Sequence, residues 1–104
     1  MDVSAFRYDD VARDIVIDAI SQHTGIPVSE DDTLHDLDLD SLERTEILIE
    51  LEDSCDYAVR DIFPQITREI EIDDKKYHAA KTVHDLVQIV ADQLHWAITG
   101  SQGC

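Results

Sequence analysis

Apolar residues recur along this chain mostly at helical spacing. Val11, Ala12, Ile15, Val16, Ala19 and Ile20 fall at i, i+3 and i+4 intervals, which predicts a first helix with one buried face. Asp9 or Asp10 is its expected cap, and it should run to about Gln22. Thr24-Gly25-Ile26-Pro27 ends it, because glycine supports a left-handed terminus and Pro27 disfavours helix at Ile26. Residues 28–39 read as a structured loop anchored by Val28, Leu34, Leu37 and Leu39. A second helix is expected from Asp40-Ser41 to about Cys55. Asp40 is a good N-cap, and Glu43 stands at the third helical position, the arrangement of a capping box. The last helix has the same opening in Thr82 and Asp85, followed by Val83, Leu86, Val87, Val90, Leu94 and Ala97.

The stretch from Tyr57 to Ala80 fits two periods. Phe63, Ile66 and Ile70 suit a short helix with Pro64 in its first turn, whereas Ile66, Ile70 and Ile72 share the parity of an extended strand. A turn of helix is expected around Asp74–Ala79. No repeat and no β-rich stretch supports a sheet, so the expected fold is all-α, a small helical bundle. The single domain is expected to span residues 1–104, with its core at about 10–98 and a flexible tail over 99–104.

Charge narrows the range of partners. Eight Lys+Arg against 24 Asp+Glu give a formal net charge of −16, which disfavours nucleic acid and anionic membrane and favours proteins with basic patches. Residues 29–56 hold 12 of the 24 acids. No apolar run is long enough to enter a membrane, and the first residues lack the pattern of a secretion signal, so a cytoplasmic monomer is expected. Cys55 and Cys104 form no metal-ligand or redox pair; Cys55 is expected in the core, and Cys104 is a spare thiol. His23, His35, His78, His84 and His95 share no ligand spacing, and no metal site is expected.

The segment Asp36-Leu37-Asp38-Leu39-Asp40-Ser41-Leu42-Glu43-Arg44-Thr45-Glu46 carries the candidate chemistry. Ser41 stands in the first turn of a helix, where backbone N–H groups and the helix dipole favour an attached phosphate. No His or Lys lies within a helical turn to activate it, so it reads as a residue to be modified, not a nucleophile. At about 100° per residue, Glu43, Glu46, Glu50 and Asp53 share one face of this helix and form a candidate docking stripe. Asp36, Asp38 and Asp40 also match the D-x-D-x-D opening of a calcium loop, but Ser41 replaces the required Gly and Ile47 the bidentate acid.

Asp40-Ser41-Leu42 at a helix start, led by Asp36-Leu37 and followed by an acidic amphipathic helix, resembles the acyl carrier proteins. Thr33-Leu34-His35-Asp36-Leu37 is similar to that family's lead into its site, and Lys81-Thr82-Val83-His84-Asp85-Leu86-Val87 to the start of its final helix. The resemblance implies a four-helix bundle that is not an enzyme. It implies a 4′-phosphopantetheine arm esterified to Ser41 by a separate phosphopantetheinyl transferase, with Asp40 and Leu42 shaping recognition. The arm would hold acyl intermediates as thioesters for synthases and acyltransferases of fatty acid, lipid or polyketide biosynthesis, whose basic patches would meet Glu43, Glu46, Glu50 and Asp53. Leu48, Ile49, Phe63 and Ile72 are the expected acyl-pocket residues. Two departures stand out. Asp38 replaces a common Gly, so it must adopt either an ordinary conformation or a slightly strained one. Residues 57–69 look like an insertion between the second and third helices, a place where the chain is similar to specialised carriers of very long acyl chains for lipid A. The alternative is an acidic helical adaptor that binds basic proteins without a prosthetic group, with a calcium-binding helical protein third.

Overall fold

The computed structural model describes residues 8–64 and 70–99. Four helices follow in order: α1 (Tyr8–Thr24), α2 (Ser41–Ile62), α3 (Asp74–Ala79) and α4 (Val83–Thr99). Their apolar faces meet in one core. Ala12, Val16, Ala19 and Ile20 of α1 pack with Ile47, Leu51, Cys55 and Val59 of α2 and with Val83, Leu86, Val87, Val90 and Leu94 of α4. Among the described residues no polar or charged side chain is buried. This is the expected four-helix bundle, and the only ladder-like pairing among the described residues is an isolated bridge between Thr33 and Thr82.

Two helix ends differ from expectation. α1 begins at Tyr8, so Asp9 and Asp10 lie inside its first turn, where their charge suits the dipole, and neither is the cap. α2 does not stop near Cys55 but continues to Ile62. Its buried row Ile47, Leu51, Cys55, Val59 advances by four residues, and Phe63, 5% exposed, extends the same row. Burial of that row keeps the helix going for two further turns, and Arg60 bonds Asp56 one turn back at 2.9 Å. Pro64 ends it, since the residue before a proline is driven out of the helical region and Phe63 has φ −128° and ψ 71°. Much of the expected insertion is therefore the end of α2. Phe63 and Pro64 are not helical, and Ile70 and Ile72 are buried in irregular chain before α3. Ile66 lies outside the described residues, as do Cys104 and the tail after Thr99.

α1 ends as the sequence predicts, with Gly25 at φ +72° and its N–H donating to the Ser21 carbonyl at 2.8 Å. The loop that follows is bound to the start of α4 by backbone. Leu34 N–H donates to the Lys81 carbonyl (2.8 Å), Val83 N–H to the Asp32 carbonyl (3.0 Å), and His84 N–H to the Glu30 carbonyl (3.0 Å). Two of the N–H groups a helix start leaves unpaired thus find acceptors in the loop. The capping box forms as read: Asp85 accepts from Lys81 and Thr82 N–H, and Thr82 Oγ1 accepts from Asp85 N–H at 3.1 Å. Cys55 is fully buried; desolvation, with Glu52 and Asp56 nearby, pushes its thiol up to about 12, so it is inert packing at neutral pH.

The Lys81 and Thr82 N–H groups hold the Asp85 carboxyl below the usual carboxylate range. A depressed folded pKa contributes stability that is present above the unfolded value and is lost as pH falls through the folded one. Urea unfolding of wild type and Asp85→Ala should therefore differ most near neutrality. The gap should narrow below about pH 4 as the carboxyl protonates; a gap independent of pH contradicts the assignment.

Candidate functional site

Ser41 is the first residue of α2 and is exposed. Asp40 caps the helix from an extended conformation, and its carboxylate accepts only the Glu43 N–H, at 2.8 Å. The cap leaves the Ser41 and Leu42 N–H groups open at the positive end of the dipole. Ser41 Oγ makes no hydrogen bond with any described residue, and Thr45 Oγ1 reaches only the Ser41 carbonyl. An exposed, unengaged hydroxyl beside free amide donors fits esterification by a phosphate. No hydrogen bond among the described residues ties this hydroxyl to a base that would activate it.

The approach to Ser41 is made by the loop before it. Asp38 has φ +54°, the strained alternative of the two conformations open to it, and its N–H donates to the His35 carbonyl at 3.1 Å. A short polar side chain tolerates this left-handed turn better than any β-branched one. Beside the helix start lies a cleft of about 590 Å³, lined among others by Thr33, His35, Asp36, Asp38, Arg44 and Lys81. Arg44 and Lys81 bring positive charge to a strongly acidic region.

Arg44 also fastens α3 to α2. The Tyr77 hydroxyl donates to the Arg44 carbonyl, while Arg44 Nη2 donates to the Tyr77 carbonyl at 3.3 Å and its guanidinium stands 5.7 Å from the Tyr77 ring centre. Burial is the main cause that pushes the Tyr77 phenol up to about 12, so it stays a donor through the physiological range. Nothing in the sequence signals this pairing across 33 positions.

The predicted docking acids share one side of α2 but are not equally free. Glu46 and Asp53 are exposed, whereas Glu43 and Glu50 are partly covered. His23, at the end of α1, lies 3.0 Å from Glu50 Oε2 and 3.9 Å from Glu46 Oε2. Leu42, 67% exposed, sits on the outer face together with Ile49 at 54%. Ile49 was expected in an acyl pocket with Leu48, Phe63 and Ile72, and the structure does not bring the four together. Phe63 and Ile72 are core residues, Leu48 packs at its edge, and Ile49 is turned about 100° away along the helix. His35 lines the cleft beside the helix start. Asp40 serves as a cap, Asp36 and Asp38 line the cleft, and no cluster of metal-ligating side chains forms among the described residues.

The family model for the phosphopantetheine attachment site matches residues 14–90. No curated protein matches the chain, and no solved structure does.

Because glycine enters the left-handed region freely, Asp38→Gly should be at least as stable as wild type in urea unfolding. Asp38→Val should lose about 1–2 kcal/mol. Equal stability of all three would mean that the turn is not left-handed in solution.

Proposed function

We propose that in this chain, which belongs to the phosphopantetheine attachment site family, the arm is borne by Ser41. The family defines the coarse role: a 4′-phosphopantetheine group is attached covalently to a serine, and the protein is a carrier, not an enzyme. Four serines fall in the matched range, at 21, 29, 41 and 54. Ser21 and Ser54 lie within helices and are partly covered, and Ser29 lies in the loop after α1. Ser41 alone combines exposure with the opening position of a helix, and that single observation carries the assignment.

The residues of this chain present the hydroxyl and do little else to it. Asp40 fixes the helix start, and the open N–H groups of Ser41 and Leu42 would be donors to a phosphodiester carried on Ser41. In the transfer, Ser41 Oγ forms a bond to the β-phosphorus of coenzyme A, the pyrophosphate bond breaks, and adenosine 3′,5′-bisphosphate leaves. The serine proton goes to a base on the transferase. When bound, the group supplies a terminal thiol that holds cargo as a thioester.

The cargo we favour is an acyl intermediate of fatty acid, lipid or polyketide biosynthesis. Glu43, Glu46, Glu50 and Asp53 would meet basic residues of the transferase and of acyl synthases and acyltransferases, with Leu42 and Ile49 as apolar anchors between them. Contacts between exposed charges contribute only about 0.2–1 kcal/mol each. They set encounter rate and orientation and leave the carrier free to dissociate. Leu48, Phe63 and Ile72 are the side chains that a chain entering the core would displace. A very long lipid A-type cargo has less support once residues 57–62 of the presumed insertion are the end of α2. No described helix is long and apolar enough to cross a membrane, which agrees with a carrier that meets its partners by diffusion. The adaptor reading is not favoured by the family match.

Incubation with coenzyme A, magnesium and a broad-specificity phosphopantetheinyl transferase should add one phosphopantetheine to the intact mass. Ser41→Ala should show no increase while keeping its helical circular dichroism. An adduct that survives in Ser41→Ala would move the site to another serine, and no adduct on folded wild type would favour the adaptor.

A further inference from the structure

Once Ser41 bears its arm, the arm has to rest somewhere between partners. Two routes lead from the start of α2. One runs between α2 and α3 toward the core, and the reciprocal Arg44–Tyr77 bonds close it. Behind them Ile47, Leu51, Ile72 and Tyr77 are at most 3% exposed. With no polar side chain buried among the described residues, this interior offers an amide-rich arm nothing to bond, so burying the arm there costs its hydration uncompensated.

The other route runs over the outside, into the cleft of about 590 Å³ formed by the loop before Ser41, Arg44 and the Ala80-Lys81 step. Leu39, two residues before Ser41, and Arg44, three after it, line the cleft, while Ser41 itself does not. The lining sets the polar side chains of Thr33, His35, Arg44 and Lys81 beside the apolar Leu34, Leu39 and Ala80, a mixture that suits an arm of amides on an alkyl frame. We infer, on the reading that Ser41 is the attachment point, that this outer cleft is the resting site of the arm. Arg44 and Lys81 hold the phosphodiester there, and Thr33 and His35 bond the pantetheine amides.

Charge selects for a tethered ligand. Asp36 and Asp38 line the same cleft and offset the two cations, so a free, multiply charged anion gains little there. The arm carries one negative charge followed by neutral amides, and its covalent link supplies a high local concentration. Arg44 uses one guanidinium donor on Tyr77 and has others to spare. Lys81 makes no ion pair among the described residues. A parked arm keeps its thiol against the protein until docking on α2 draws it out.

The test compares amide spectra of the full-length, nitrogen-15-labelled protein before and after modification, with intact mass confirming one adduct. Modification should shift the amides of Thr33–Asp36 and Ala80–Lys81 as much as those adjoining Ser41. Added sodium chloride should shrink the distant shifts by screening. Lys81→Gln should reduce the Thr33–Asp36 shifts, and the Arg44→Gln, Lys81→Gln double variant should abolish them. Because Arg44 also holds α3, the single Lys81 variant and the salt series on wild type decide the matter if the double variant unfolds. Shifts confined to the neighbours of Ser41, or distant shifts indifferent to salt and to Lys81→Gln, overturn the resting site alone. Failure to form an adduct overturns the attachment reading and this site with it.

Discussion

The site depends on a loop without regular structure being held still. Between Gly25 and Asp40 the chain has no helix to stiffen it, yet it has to deliver Asp40 and Ser41 to the start of α2 in one conformation. Three backbone hydrogen bonds between residues 30–34 and 81–84 do this. They serve both partners: the loop gains a rigid edge, and α4 gains carbonyl acceptors for its first-turn N–H groups. Leu34, 5% exposed, fixes the loop to the core from the other side. The Asp38 turn then brings the chain round to the cap. The exposed serine thus stands on a frame whose other end lies at the far end of the sequence.

Much of this was legible in the sequence because it is local. The Thr82–Asp85 capping box and the Asp40 cap follow from side chains three residues apart, although Glu43 does not return a bond to the Asp40 N–H, and the helix rows follow from four-residue spacing. Cys55 was readable as core for the same reason. An end of α2 at Cys55 falls short because Val59 and Phe63 continue its buried row and Pro64 is the real stop. The resemblance alone points Ile49 toward a pocket, whereas it stands on the outer face of α2. Asp38 left two conformations open, and only the turn geometry chose between them. The Arg44–Tyr77 clasp and the His23–Glu50 pair join residues 33 and 27 positions apart, and no local pattern encodes such meetings.

The acidic character has a division of labour. Some carboxylates are structural: Asp40 and Asp85 cap helices, and Glu52 accepts the Ile72 N–H at 3.0 Å, holding the chain before α3 onto α2. Others, such as Glu46 and Asp53, stand exposed on α2. Against this background Arg44 and Lys81 matter more than their number suggests. They place positive charge in the cleft next to the start of α2.

We place the prosthetic arm on Ser41, exposed at the open start of α2. Fragmentation mass spectrometry of proteolytic peptides from the enzymatically modified protein tests it most directly. The phosphopantetheine mass should reside on the peptide containing Ser41 and on no other. Localisation to a peptide holding Ser21, Ser29 or Ser54 would contradict it.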